Sequence, residues 1–175
     1  MSSFVEICEY VNEKGVRSIS FDIDGTLYSG RKIQLRWWKA LLYTPVKALR
    51  YLKLKAHQKK SPEEIIFVEE FLAGMLDESL VPFEIVDWIK ELNACEVQAY
   101  FLSAQGAMSK LKRLGLAHTG KAVNCPHEET STILRVKFGI DPKNHLHLGA
   151  HRTNEEQAKL FGCEFRYFRP EELFR

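Results

Sequence analysis

Apolar positions recur along this chain with two different periods, and the change of period divides it. Phe4, Ile7, Cys8 and Val11 fall on one helical face, and Gly15 can close that helix because glycine accepts a positive φ. Val16 to Phe21 then alternates with period two and runs into Asp22-Ile23-Asp24-Gly25-Thr26, which predicts a strand ending in a polar loop. From Tyr28 to about Ala94 the spacing is helical throughout. Trp38, Leu41, Leu42, Val46, Leu49 and Leu52 make one stripe, and Thr44-Pro45 predicts a kink or a second helix start within it. Ser61-Pro62-Glu63-Glu64 is a strong start signal, with Ser as cap, Pro in the first turn and acids at the positive end of the dipole. Ile65, Ile66, Val68, Phe71, Leu72 and Met75 supply that helix with an apolar face, and a last helix is expected from Pro82 to Leu92.

Beyond Ala94 strands and helices alternate. Val97 to Leu102 reads as a strand stopping at Ser103-Ala104-Gln105-Gly106, followed by a helix carrying Met108, Leu111 and Leu114. Lys121-Ala122-Val123 reads as a short strand, Glu128 to Phe138 as a helix, and His145 to Leu148 as a strand ending at Gly149. A helix from about Asn154 to Phe161 and a strand from Glu164 to Phe168 complete the series. Such alternation predicts a doubly wound α/β fold, a parallel sheet with helices on both faces. Ligands of these sheets sit beyond the carboxyl ends of the strands, so the turns at Asp22–Thr26, Ser103–Gly106 and Gly149–Glu155 should share one edge. The expected organisation is an α/β core of residues 1–27 and 95–175, with a helical cap of residues 28–94 inserted after the first strand.

Composition narrows this picture without changing it. The 175 residues suffice for one domain with an insertion, and 45% hydrophobic with 27% charged residues excludes a mostly disordered or fibrous chain. Cys8, Cys95, Cys125 and Cys163 form no Cys-x-x-Cys pair, so neither a zinc knuckle nor a disulfide framework is read. No secretory signal and no membrane span is read either, and the expected compartment is the reducing cytoplasm.

Charge is more informative by segment than in total. Between Asp24 and Glu63 there is no acid, while ten bases run from Arg31 to Lys60; from Glu63 to Glu96 there are ten acids and Lys90 alone as a base. Charge pairing predicts that the two halves pack as antiparallel helices with opposite signs across the seam. The competing reading is a weak polyanion or anionic-membrane contact through Arg31 to Lys60, because Trp37, Trp38, Tyr43 and Tyr51 are interleaved with the bases.

The chemistry is concentrated at Asp22-x-Asp24-Gly25-Thr26. Two carboxylates two residues apart at a strand end suit a hard cation such as Mg²⁺, and they suit a nucleophile beside a general acid/base. The context Ile-Ser-Phe-Asp-Ile-Asp-Gly-Thr-Leu-Tyr resembles the first motif of the haloacid dehalogenase (HAD)-like hydrolase superfamily. Phe101-Leu102-Ser103 is similar to that family's second motif, and Asn144 to Gly149 with Asn154-Glu155 is similar to the segment around its fourth. The inserted helices stand where the family carries a C1-type cap on its Rossmannoid core.

The resemblance implies a Mg²⁺-dependent phosphomonoester hydrolase acting on a small phosphorylated metabolite. Asp22 is then the nucleophile that forms an aspartyl-phosphate, and Asp24 the acid/base. Thr26, Ser103 and Ala104 bind the phosphoryl group, and Mg²⁺ is held by the Asp22 carboxylate, the Asp24 backbone carbonyl and an acid of the fourth motif. Two positions depart from the pattern. Where the family has Gly-Asp this chain has Gly149-Ala150, leaving Glu155 as the acid to replace the lost carboxylate. Where the family has a lysine before a proline this chain has Cys125-Pro126, leaving Lys121 to supply the charge. Each such loss costs about 10²–10³ in rate, so an impaired enzyme is one reading and a non-catalytic phosphate- or metal-binding regulatory protein the other. His145 and His147 share one face of a strand with His151 after its turn; their spacing matches no established zinc pattern, and packing without a metal is the expectation.

Overall fold

All five residues of β1 (Ser18–Asp22) are buried, and the strand accordingly sits at the centre of its sheet. β2 (Gln98–Ser103) and β3 (Lys121–Asn124) extend the sheet on one side, β4 (His145–Gly149) and β5 (Glu164–Tyr167) on the other. Every pairing is parallel and the order is β3-β2-β1-β4-β5. The chain thus steps outward from β1 in one direction, then returns to build the other half, which opens a crevice at the carboxyl end of β1. The computed structural model describes residues 4–24, 26–28, 30–55, 60–76, 80–104, 106–126 and 129–169. Gly25, Lys59, Gln105 and Glu128, named above, lie outside the described residues.

Alternation along β1 sends Ile19 and Phe21 to one face and Ser18, Ser20 and Asp22 to the other. The first face is apolar. Phe21 stacks on Phe101 with ring centroids 5.4 Å apart and meets Trp88 and Phe168 edge-on at 5.9 and 6.1 Å. α1 (Phe4–Lys14) contributes Ile7 and Val11 to this cluster, and α6 (Ala107–Arg113) contributes Ala107 and Leu111. Ile85, Trp88, Ile89 and Leu92 of the helix Phe83–Ala94 belong to it as well. That helix was expected in the insert, and its apolar face packs on the sheet.

On the opposite face Tyr100, Leu102 and Val123 pack with Leu134 and Phe161. Leu134 lies in a π-helical turn, Ile133–Lys137, and Phe161 ends a helix over Arg152–Phe161. Between β1 and β4 this face carries a file of polar groups. Ser18 Oγ lies 2.7 Å from His145 Nδ1, Ser20 Oγ 2.8 Å from His145 Nε2, and Ser20 Oγ again 2.7 Å from His147 Nδ1. Burial, and then the neighbouring His147, pushes His145 down to about 3, so its ring is neutral and offers one donor and one acceptor. A proton count consistent along the file satisfies each of these contacts in turn.

The insert comprises α2 (Gly30–Tyr43), α3 (Pro45–Lys55) and α4 (Pro62–Ala73). Pro45 opens α3 as its spacing predicted. At the start of α4 the Glu64 amide donates to Ser61 Oγ at 3.3 Å while the Ser61 amide donates to Glu64 Oε2 at 2.8 Å, a reciprocal capping box. Where the charge-pairing expectation placed opposite charges, the seam among the described residues is built from rings. Trp37, Tyr51 and Phe71 lie 5.0–5.7 Å apart, and Phe67 meets Phe71 at 6.1 Å. The Arg50 guanidinium lies 4.4 Å over the Phe67 ring, while among the described residues Lys39, Lys47 and Lys53 make no ion pair. Burying rings gains far more here than pairing solvated charges would. Among the described residues no helix is long and apolar enough to cross a membrane.

Candidate active site at the carboxyl edge of the sheet

Asp22 ends β1 and Ser103 ends β2, and both side chains are buried. Asp24 stands just beyond, about half exposed (46%), with both carboxylate oxygens engaged. The Tyr28 hydroxyl donates to Oδ1 at 2.5 Å. Burial, and then the facing Asp24 carboxylate, pushes that hydroxyl well above its usual titration range, so it stays a donor. Oδ2 accepts from Ser103 Oγ at 3.0 Å and from Lys110 Nζ at 2.5 Å, and Lys110 also donates to Ser103 Oγ at 2.8 Å. Thr26 is fully buried and its Oγ1 accepts from the Ala150 amide at 3.1 Å, tying the first loop to the turn after β4.

Lys110 is the positive charge of this corner, and it was not among the expected residues. Its signal was present: Ala107, Lys110, Leu111 and Leu114 fall at the i, i+3, i+4, i+7 positions of one helical face, and all four are buried. A lysine in a buried register demands a partner, and Asp24 is that partner. Lys121, expected to supply the charge, stands at the amino end of β3 opposite Tyr100, while Asn124 at the other end of β3 pairs Ser103. Its ammonium lies 5.5 Å over the Tyr100 ring and lines a groove of ≈510 Å³ with Val97 and Gln98, on the wrong edge of the sheet. Register places it there: a strand residue three positions from the end cannot reach past its own strand.

The turn after β4 departs from expectation in a second way. Asn154, not Glu155, meets Asp22: its Nδ2 donates to Asp22 Oδ2 at 3.1 Å, and its Oδ1 accepts from the His151 amide at 3.1 Å. Since a backbone amide only donates, the Asn154 amide orientation is settled. Gly149 makes this approach feasible, because a Cβ there would stand 2.5 Å from Asn154 Cβ. Glu155 is held on the outer side of its helix, accepting from Lys159 Nζ at 2.6 Å and Tyr167 Oη at 2.7 Å. Those two hydrogen bonds, Lys159's first, keep its carboxyl below the usual range. Cys125 is buried, with its thiol 3.6 Å from Thr130 Oγ1 and pushed upward by burial. Ala104 follows Ser103 and is exposed at the rim.

These positions test the Mg²⁺ that the resemblance implies. A hard cation needs several oxygen ligands. Asp22 Oδ2 already faces an amide NH₂, both Asp24 oxygens face donors, Ala150 offers no side-chain oxygen, and Glu155 is committed elsewhere. Among the described residues no group of three or more His, Cys, Asp or Glu is arranged to hold a metal ion. The side chains of this corner are a poor donor set for the ion, whose protein ligands would reduce to the Asp22 carboxylate and the Asp24 backbone carbonyl. Beside Asp22 the crevice lined by Ser103, Cys125, His147 and Asn154 measures ≈10 Å³, room for about one water.

No family model matches this chain, and no curated protein matches it by sequence. Solved structures do resemble it in fold. A predicted HAD-like family hydrolase from Porphyromonas gingivalis superposes with a TM-score of 0.59 at 20% identity, covering 89% of this chain and 92% of the other. A β-phosphoglucomutase from Clostridium difficile gives 0.57 at 14% identity, with 86% and 83% covered. A HAD family enzyme from Bacteroides thetaiotaomicron, solved with magnesium and inorganic phosphate, gives 0.55 at 15% identity, with 92% and 100% covered. The chain therefore has the α/β architecture of HAD-like hydrolases, with the sheet order they share.

Proposed function

We propose that the protein is a phosphomonoester hydrolase that works through an aspartyl-phosphate on Asp22 and acts on a small phosphorylated metabolite. What carries this reading is the linked set Asp24, Ser103 and Lys110 standing beside Asp22 at the carboxyl edge. In the first step Asp24, having taken up a solvent proton once the phosphate draws Lys110 from it, hands that proton to the leaving oxygen as an Asp22 oxygen attacks phosphorus and the bond to the leaving oxygen breaks. In the second, Asp24 takes a proton from a water that attacks phosphorus and releases Asp22. Lys110 and Ser103 now both engage Asp24 Oδ2; an arriving phosphoryl oxygen takes over these donors and frees Asp24 for proton transfer. No step is routed through Mg²⁺, for which the donor set is poor.

The test is phosphate release from p-nitrophenyl phosphate and a panel of phosphorylated metabolites, with and without Mg²⁺. Release by the wild type should vanish in Asp22→Asn, and Lys110→Met should lower kcat/KM by about 10²–10³. Release that survives Asp22→Asn overturns the reading.

One observation favours a second reading, a phosphate-binding regulatory protein without turnover: the Asn154 amide occupies Asp22 Oδ2 in a crevice of ≈10 Å³. Ala150→Asp separates the two, since Lys110 already supplies the charge that Cys125 does not. Turnover that appears only in that variant decides for the regulatory protein.

A further inference from the structure

The apolar stripe that the periodicity marked on the first inserted helices does not face the protein. α3 turns Ala48, Tyr51 and Leu54 inward, and α2 packs Trp37 against Tyr51 and Phe71. On the outer side Trp38, Leu42, Tyr43, Val46, Leu49 and Leu52 are 47–81% exposed. These are large side chains, and they follow one another across the Thr44-Pro45 junction as a continuous surface on two consecutive helices. Scattered exposed hydrophobics are normal; a contiguous strip of this kind is not.

The charges around the strip select its occupant. Lys39, Lys47, Arg50 and Lys53 stand on α2 and α3, all exposed, and no acid occurs between Asp24 and Glu63. α4 carries the first acids, and its Glu69 and Glu70 line a cleft with Lys47 and Arg50, so Lys39 and Lys53 are the bases left to this strip. A nucleic acid would be met by arginines and stacking rings, with no use for exposed Leu42, Val46, Leu49 and Leu52. Aliphatic side chains need hydrocarbon, lysines flanking them need anions, and an anionic lipid surface supplies both within the thickness of one helix. The strip lies on helices too short to span a bilayer, so the contact is interfacial.

We propose that the outer face of α2 and α3 docks on an anionic lipid bilayer, with Trp38, Leu42, Val46 and Leu49 entering the headgroup–acyl boundary and the lysines on the phosphates. This rests on no part of the phosphatase reading.

The experiment is flotation of the full chain with phosphatidylcholine vesicles, with and without phosphatidylglycerol. Binding is expected on the anionic vesicles only and should fall with added salt. It should weaken about tenfold or more in Leu42→Glu/Leu49→Glu, and likewise in Lys39→Gln/Lys53→Gln. Because these positions are exposed, thermal melts of the variants should match the wild type. Brominated acyl chains should quench the wild-type tryptophan emission and lose most of that effect in Trp38→Phe, a readout that does not depend on the glutamate variants folding. Absence of binding overturns the proposal, as does binding indifferent to the leucine changes. Binding to single-stranded RNA that the lysine but not the leucine changes weaken also overturns it. So does a wild-type dimer that Leu42→Glu/Leu49→Glu dissociates without vesicle binding, which would give the face to a second copy of the chain.

Discussion

The two faces of β1 are built from alternate residues of one strand and solve opposite problems. Ile19 and Phe21 meet only apolar partners, and their stabilisation is non-directional: any well-shaped hydrocarbon would do. Ser18, Ser20 and Asp22 are equally buried, yet each is tolerable only because a named atom faces it, His145 and His147 for the serines and Asn154 for Asp22. The apolar face holds the sheet together, and the polar face aims the strand end. The lesson is that the candidate nucleophile is the last member of a buried polar file rather than an isolated acid at a rim, so its position depends on groups running back along the strand.

The largest effect should come from the apolar side. Phe21→Ala removes a ring that touches Phe101, Trp88 and Phe168, and should cost about 3–5 kcal/mol in chemical denaturation. A loss below 1 kcal/mol would mean that the two faces are not as different as their packing indicates. Next, Ser20→Ala deprives both His145 Nε2 and His147 Nδ1 of one hydroxyl and should cost about 1–3 kcal/mol by the same measurement. A neutral result would break the comparison from the polar side. The most gradual effect, spread over several pH units, is a pH dependence. His145 titrates near 6.5 when unfolded and at about 3 when folded, so between these values the unfolded chain binds the extra proton. Acidification from 6.5 toward 3 therefore lowers stability by at most about 1.4 kcal/mol per pH unit, and replacing His145 by Leu should flatten that limb in denaturation midpoints taken across the window.

Much of this was legible in the chain itself. The period-two run into Asp22, the stop at Ser103, the Ser61 capping box and the Pro45 break all appear where local chemistry put them, because each depends on neighbours within a few residues. Alternation of strand and helix made the parallel sheet legible, while its order β3-β2-β1-β4-β5 came only with the structure. Lys110 was readable in principle from its place in the Ala107/Leu111/Leu114 register, but two basic neighbours, Lys112 and Arg113, masked it as one more charge of a solvated turn. Between the two apolar stripes of α2 and α3 periodicity could not choose, since Trp38, Val46, Leu49 and Leu52 repeat as regularly as Trp37, Ala48, Tyr51 and Leu54. Asn154 and Glu155 posed the same problem at adjacent positions of one helix, a turn of 100° apart.

By itself the chain determined where most elements begin and end, that the sheet is parallel, and that two carboxylates stand at the carboxyl end of the first strand; these follow from periods, caps and turns acting over a few residues. Only the tertiary structure decided which lysine supplies the charge, that Asn154 rather than Glu155 meets Asp22, and that the helix Phe83–Ala94 packs on the sheet while the α2–α3 stripe faces outward. Those choices depend on how helices are rotated and docked against elements distant in sequence, and a rotation of one residue exchanges a buried side chain for an exposed one without changing the local pattern at all.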